Sequence, residues 1–251
     1  LAFAVYHGMI APLRVRLIEA DTAVEQSQKL AALGVLAAGI AHEIRNPLTA
    51  IKARLFTHRK GLTPGSPAYE NTEFIGREID RLERIVRDFL LFARPADPRL
   101  EAITTVELLR EVHALMAADL ARSAIELRLV TEPDLPVRAD RQHLLQVLLN
   151  LVRNAAESIG SNGRITLRTR DTRATLRGAA QRVAVLEVED NGRGIPPEAQ
   201  ARLFDPFFTT KPNGTGLGLS IAARIVEKHG GALRFQTQVN RGTTFGIVLP
   251  L

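Results

Sequence analysis

Residues Ala38–Leu48 read AGIAHEIRNPL, and their spacing predicts a helix with a reactive ring on its polar side. Ile40, Ile44 and Leu48 recur at a helical period and supply one apolar face. His42, Glu43, Arg45 and Asn46 fall on the flanks and the opposite face, with His42 and Asn46 one turn apart. Pro47 has no amide to donate to the carbonyl of Glu43, so a bend or loosening is expected beside the histidine. An imidazole next to a carboxylate has the makings of a nucleophile or a proton shuttle. The same pattern also describes an ordinary surface histidine, and the rest of the chain must decide between them.

The apolar stripe runs outward in both directions. Leu13, Leu17, Ala20, Val24, Leu30, Leu33 and Ala37 precede the stretch, while Ile51 and Leu55 follow it. Arg14 to about His58 therefore reads as one long helix, a coiled coil or a hairpin arm, with the polar run Glu19–Lys29 as a connector. Gly61, Pro64, Gly65, Ser66 and Pro67 break it. A second helix is expected over about Ala68–Phe92, with Ile75, Ile79, Leu82, Val86 and Phe89 on one stripe. The resulting antiparallel hairpin has little core of its own. A second copy completes it as a four-helix-bundle homodimer, and packing against the C-terminal part is the alternative. Pro95 and Pro98 end the helix and open a linker.

Bulk properties narrow the function classes. The 251 residues suffice for two domains, and the absence of cysteine excludes disulfides, thiolate nucleophiles and thiolate metal sites, as in a reducing compartment. A formal charge of +6 is compatible with a nucleotide or an anionic lipid surface. With no tryptophan and only two tyrosines, no stacking platform is evident, so no nucleic acid partner is expected. The chain opens on Leu1, so a fragment or processed chain is expected. LAFAVYHGMIAPL is too short to span a bilayer and is read as a membrane-helix stub or a helical lead-in.

From about Arg99 the texture becomes that of an α+β fold. Helices are expected at Val106–Met116, opened by Thr104 or Thr105, at Asp140–Ile159 with Asp140 as cap, at Pro197–Leu203 and at Leu217–His229. Strands are expected at Ile125–Val130, Arg164–Arg170, Val183–Glu189, Ala232–Gln236 and Thr243–Leu249, with a basic, irregular loop over Arg173–Gln181. Helices grouped with a mostly antiparallel sheet imply a two-layer α/β sandwich.

Four clusters in this part point to a nucleotide. NLVRNAAE places Asn150, Asn154 and Glu157 on one helix; asparagine carbonyls suit Mg²⁺, although paired asparagines also serve backbone or solvent. The strand VAVLEVED ends at Asp190, followed by Gly192 and Gly194. A buried carboxylate there accepts from an adenine amino group, and a plain DNG turn is the alternative. LFDPFFTTK sets Phe204, Phe207 and Phe208 as anchors beside Thr209, Thr210 and Lys211, whose ammonium is within reach of a terminal phosphate. GTGLGLS brings Gly214, Thr215, Gly216, Leu217 and Gly218 to a helix start, a phosphate cradle and a flexible lid that matches neither a P-loop nor a Rossmann loop.

Taken together, the chain resembles the transmitter core of a two-component sensor histidine kinase, nearest to the nitrogen-regulation type. AHEIRNPL is similar to that family's H box, NLVRNAAE to its N box, DNGRGI to its G1 box, FDPFFTTK to its F box and GTGLGLS to its G2 box. All five stand in family order and spacing, over roughly Gln28 to the C-terminus.

The resemblance implies a connector over 1–29, a dimerisation and phosphotransfer hairpin over 30–94, a linker over 95–99 and an ATP-binding domain over 100–251, of the fold shared with gyrase, Hsp90 and MutL. It implies His42 as phosphoacceptor through Nε2, with Glu43 orienting or deprotonating the ring. Asn154, with Asn150 nearby, would hold Mg²⁺, Asp190 would read adenine and Lys211 would contact phosphate. Glu157, Gly192, Gly194, Thr210, Gly214, Thr215, Gly216, Leu217 and Gly218 would complete the ATP site. Asn46 of the HExxN pattern would orient water for phosphatase action, and the phosphoryl group would pass to an aspartate of a response-regulator receiver domain. A cytoplasmic location follows, with an upstream sensor or inner-membrane anchor as an option. An ATP-hydrolysing clamp of the gyrase/Hsp90/MutL kind is the alternative, against which stands Asn150 where such enzymes carry an acidic base. A basic coiled-coil adaptor would leave all four clusters unexplained.

Overall fold

The computed structural model describes residues 43–93, 96–211 and 214–251. His42, the connector expected over 1–29 and the first part of the long helix lie outside the described residues, as does Pro95. The chain divides into two units, Leu1–Pro95 and Ala96–Leu251.

In the first unit, helix α1 covers residues 43–60 and continues through Pro47, so the loosening expected there does not end it. Gly65 turns the chain at φ +79°, and the Ser66 hydroxyl accepts from Tyr69 N–H to cap α2 (Pro67–Ala93), with Pro67 in the first turn. The two helices run antiparallel. Lys52 Nζ meets Asp80 at 2.6 Å and Glu83 at 3.1 Å, and a Cβ on Gly76 would lie 3.6 Å from Leu55. Of the stripe expected on α2 only Ile79 is buried, while Ile75 and Leu82 are exposed together with Ile44, Ile51, Phe56 and Phe74. Two helices in contact along one line cover only part of each apolar face.

The second unit runs β1 (Glu101–Thr104), α3 (Thr105–Arg122), β2 (Ile125–Leu129), β3 (Pro136–Ala139), α4 (Arg141–Ile159), β4 (Gly163–Leu176), β5 (Ala179–Asp190), α5 (Pro197–Gln200), α6 (Gly218–Lys228), β6 (Ala232–Gln238) and β7 (Gly242–Pro250). Strands β2-β4-β5-β7-β6 form one sheet, parallel only between β2 and β4, and β1 pairs with β3 in a small second sheet. Alternation aims Ile165, Leu167, Leu186, Val188, Ile247 and Leu249 at the helices. These meet Leu108 and Leu109 of α3, Leu144, Leu148 and Leu151 of α4 and Val226 of α6, all buried. The expected α+β class and two-layer sandwich are what the second unit adopts. No helix among the described residues is long and apolar enough to cross a membrane.

Three local expectations need correction. Arg173–Gln181 is not an irregular loop. Strands β4 and β5 stay paired as far as Leu176 and Ala179, and Arg177 and Gly178 close the hairpin at φ 51° and 83°, the signature of a type I′ turn. Its apolar support is non-local: Leu176 packs with Val183 and Val248 on the sheet face away from the helices. The helix after Thr104 extends to Arg122, and its first turn is capped by Asp134 from a distant loop, which accepts from Val106 N–H at 3.0 Å, not by Thr104. Past Pro197, only one helical turn forms before the chain reverts to turns.

Candidate functional site

The amphipathic pattern of α4 decides where its polar groups go. Leu144, Val147, Leu148, Leu151, Val152 and Ala155 fill the core, which leaves Asn150, Asn154, Glu157 and Ser158 on one edge. Asp140 starts the helix by accepting from His143 N–H at 3.1 Å, as expected.

Each segment of the sequence reading meets that edge at a different residue. At its lower end Asn150 packs on the start of α6: a Cβ on Gly218 would fall 2.6 Å from Asn150 Oδ1, so any side chain there would push the asparagine amide aside. The buried Nδ2 of Asn150 has no hydrogen-bond partner. One turn on, Lys211 Nζ donates to Asn154 Oδ1 at 2.8 Å and is tightly paired with Glu157. Asn150 and Asn154 thus face different elements and do not present their amides together. Farther along, Ser158 lies under the aspartate turn, where a Cβ on Gly192 would fall 2.4 Å from its hydroxyl oxygen.

Asp190 closes β5 and is buried, with Oδ1 accepting from Gly192 N–H at 2.8 Å. Burial pushes its carboxyl above the usual aspartate range, partly offset by that amide and by the hydrogen bonds from Thr243 and Ser158. Gly194, at φ +70°, presses on the β6–β7 turn, where a Cβ would stand 2.3 Å from Gln238 O. The neighbouring hydroxyls of Thr237 and Thr243 lie 2.9 Å apart, and Thr237 accepts from Ile195 N–H. Neither threonine, nor Ser158, was foreseen; the threonines are brought there by pairing between β6, β7 and the end of β5.

The phenylalanine segment behaves unevenly. Phe204 meets Phe235 edge-on at 5.9 Å between centroids, and Arg202 covers Phe208 at 4.5 Å, but Phe207 is exposed at φ 65°. Thr209 Oγ1 accepts from Lys211 N–H, Thr210 is exposed, and Gly214 fits closely over Thr209. Gly216, at φ +68°, lies against the Phe207 backbone, where a Cβ would come within 2.3 Å. Thr215 Oγ1 accepts from Leu217 N–H, and buried Leu217 precedes α6 without a side-chain cap. The start of α6 thus retains amides suited to an anion.

On the first unit Glu43 and Asn46 are exposed on α1, while His42 lies outside the described residues. Part of the expected linker, residues 96–99, makes contacts within the second unit. Lys228 Nζ donates to Asp97 at 2.8 Å and to Ala96 O at 3.4 Å, and Arg99 N–H donates to Asp140 Oδ2 at 3.0 Å, so this segment is fastened to the second unit.

The model of the His Kinase A (phospho-acceptor) domain matches residues 32–98, and that of the histidine kinase-, DNA gyrase B- and HSP90-like ATPase matches residues 139–251. A solved catalytic domain of the histidine kinase ThkA is 36% identical and superposes with a TM-score of 0.53, over 61% of this chain and 95% of that domain. The chain belongs to the histidine kinase family. Sensor histidine kinase ZraS of Escherichia coli K12 is 38% identical over 231 residues, 91% of this chain and 48% of ZraS. The structure of ThkA in complex with response regulator protein TrrA matches with 31% identity and a TM-score of 0.64, over 94% of this chain and 66% of ThkA. The chain spans about half the length of the curated histidine kinases it matches. As a member of this family it carries the phospho-acceptor and ATPase modules of a two-component transmitter.

Proposed function

We propose that this chain is the kinase core of a two-component sensor, which phosphorylates His42 from ATP and passes the phosphoryl group to an aspartate of a response-regulator receiver domain. One observation carries the reading. Segments far apart in sequence converge on a single edge of α4, at Asn150, Asn154 with Glu157, and Ser158. The adenine end is Asp190 with Gly192 and Gly194, and the phosphate end is Lys211, Gly214, Gly216 and the amides of α6. Thr210, Thr215, Leu217 and Gly218 shape the wall between them.

The donor set fits Mg²⁺. An amide oxygen and a carboxylate already converge on one cation, the Lys211 ammonium. Asn154 would hold the metal with Asn150 nearby and Glu157 beside them, and the metal would offset phosphate charge during transfer. Lys211 then turns from α4 to the phosphates, and the α6 amides stabilise the charge in transit. Glu43 orients the His42 ring so that Nε2 attacks the γ-phosphorus, the bond to ADP oxygen breaks, and the imidazole proton leaves to the carboxylate. Asn46, one turn along, positions water when the phosphorylated receiver is hydrolysed.

The exposed apolar residues of α1 and α2 support a homodimer built as a four-helix bundle, with the hairpin over 30–94 and the ATP domain over 100–251. A nitrogen-regulation-like subgroup and an upstream sensor or membrane segment complete the proposal. Incubation with Mg-ATP should give an acid-labile, base-stable phosphoadduct that His42→Gln abolishes while nucleotide binding persists. An adduct that survives His42→Gln, or none at all from the dimeric wild-type chain, would overturn the proposal.

A further inference from the structure

The end of α6 carries a histidine for which the proposed chemistry has no use. His229 is 4% exposed, and both of its ring nitrogens are engaged. Nδ1 lies 2.7 Å from the Ile225 carbonyl, which only accepts, so Nδ1 carries the proton. Nε2 lies 3.0 Å from the Asp140 amide, which only donates, so Nε2 must be bare. The two bonds together fix one neutral tautomer.

Asp140 is the point at which three parts of the unit meet. Its amide is held by His229, one carboxylate oxygen accepts from His143 N–H at the start of α4, and the other accepts from Arg99 N–H. Beside it, Lys228 of α6 holds Asp97 and Ala96. Residues 96–99, the helix bearing Asn150 and Asn154, and the helix whose start follows the glycine lid are therefore tied in one knot.

We propose that His229 is a proton-operated latch that fastens residues 96–99 and the start of α4 to the end of α6, and that protonation opens it. A second proton has to go on Nε2, where it would face the Asp140 N–H across 3.0 Å, donor against donor. The contact is lost and a buried cation is left. Among the described residues, the carboxylate placed to relieve that charge is Asp140 itself. It already serves Arg99 and the first turn of α4, so turning it to the ring undoes the other two sides of the knot. The surrounding charged and titratable groups do not alter this. His143, edge-on at 6.0 Å between centroids, disfavours charge on His229 and itself stands 3.8 Å from Asp140 Oδ2, while Lys228 is engaged by Asp97. The Arg177 guanidinium approaches from the hairpin tip near Gly230. In keeping with this, burial holds the His229 imidazole below the ordinary histidine range, so the latch is shut at neutral pH and opens on acidification.

The test uses the whole chain and needs no kinase activity, so its outcome is separate from that of the phosphohistidine assay. Nitrogen-15 spectra of the imidazoles should show His229 as the Nδ1–H tautomer at about pH 7.5, gaining its second proton only below about pH 6.5. Over that range the Arg99 and Asp140 amides, corrected for intrinsic exchange, should lose at least about tenfold of their protection, while Leu186 in the central sheet keeps its own. His229→Gln, which retains an acceptor and does not titrate, should hold protection level across the range. An Nε2–H tautomer at neutral pH, protection of Arg99 and Asp140 that does not change with pH, or the same loss in His229→Gln would each overturn the latch.

Discussion

The Lys211 ammonium lies 2.8 Å from the side-chain oxygen of Asn154, on the same helix edge that offers Glu157. A lid residue thereby neutralises the acidic edge of the site. Lysine is 30% exposed and glutamate 58%, so solvent screens the pair and its share of global stability is small. Lys211→Met is expected to leave Tm within about 2 °C of wild type. It should raise lid amide exchange at Gly214 and Gly216 and weaken Mg-ATP binding about three- to tenfold. Calorimetric titration and hydrogen exchange check this; unchanged affinity would show that Lys211 never reaches the phosphates.

Asp190 is held in a buried position where burial raises its pKa. A carboxylate with a raised folded-state pKa contributes stability that is full below its unfolded value and is lost as pH rises through the folded value. Once pH exceeds that folded value the ionised group costs stability, so the Tm of wild type should fall more than that of Asp190→Asn as pH rises. The amide must still accept from Gly192 N–H, which turns its NH₂ toward the adenine amino group, donor against donor. Nucleotide affinity should fall at least about tenfold. Loss of stability together with retained affinity would refute the adenine-reading role.

Gly216 and Gly178 have similar positive φ but different surroundings. A Cβ on Gly216 would come within 2.3 Å of the Phe207 backbone, whereas nothing lies within 4 Å of one on Gly178. Gly178→Ala should cost only the local left-handed strain, about 1 kcal/mol. Gly216→Ala must displace the lid and should weaken nucleotide binding at least about tenfold with little change in Tm. Thermal melts paired with nucleotide titration separate the two effects.

Ile51 and Leu82 are 49% and 46% exposed on the hairpin. Ile51→Glu or Leu82→Glu places a charge where the proposed second copy would bury an apolar side chain. Sedimentation should show monomers at concentrations where wild type is dimeric, with nucleotide affinity of the second unit unchanged. Dimers that persist in both variants would put the interface elsewhere.

Asn46 lies exposed on α1, three residues after Glu43. Its amide can position water but cannot replace the nucleophile, so Asn46→Ala should slow dephosphorylation of the receiver at least about tenfold and autophosphorylation far less. Parallel assays with labelled phosphate decide the point; equal losses would remove the phosphatase assignment.

What the sequence determined by itself is what short-range physics writes into it. The hairpin, the Asp140 cap, the core stripe of α4 and the lid glycines rest on interactions within a turn or two, and five ordered segments sufficed to suggest the family. Tertiary structure decided the remainder. Asn154 receives Lys211 from 57 residues away, Asp140 gives its amide to His229 from 89 residues away, and Asp134 caps a helix that begins 29 residues earlier. The 173–181 hairpin was hidden because its polar strands gain apolar cover from Val248 of β7 and Ala232 of β6. In each case the partner is selected by packing among distant elements, and no local pattern of spacing or charge encodes which donor will meet which acceptor.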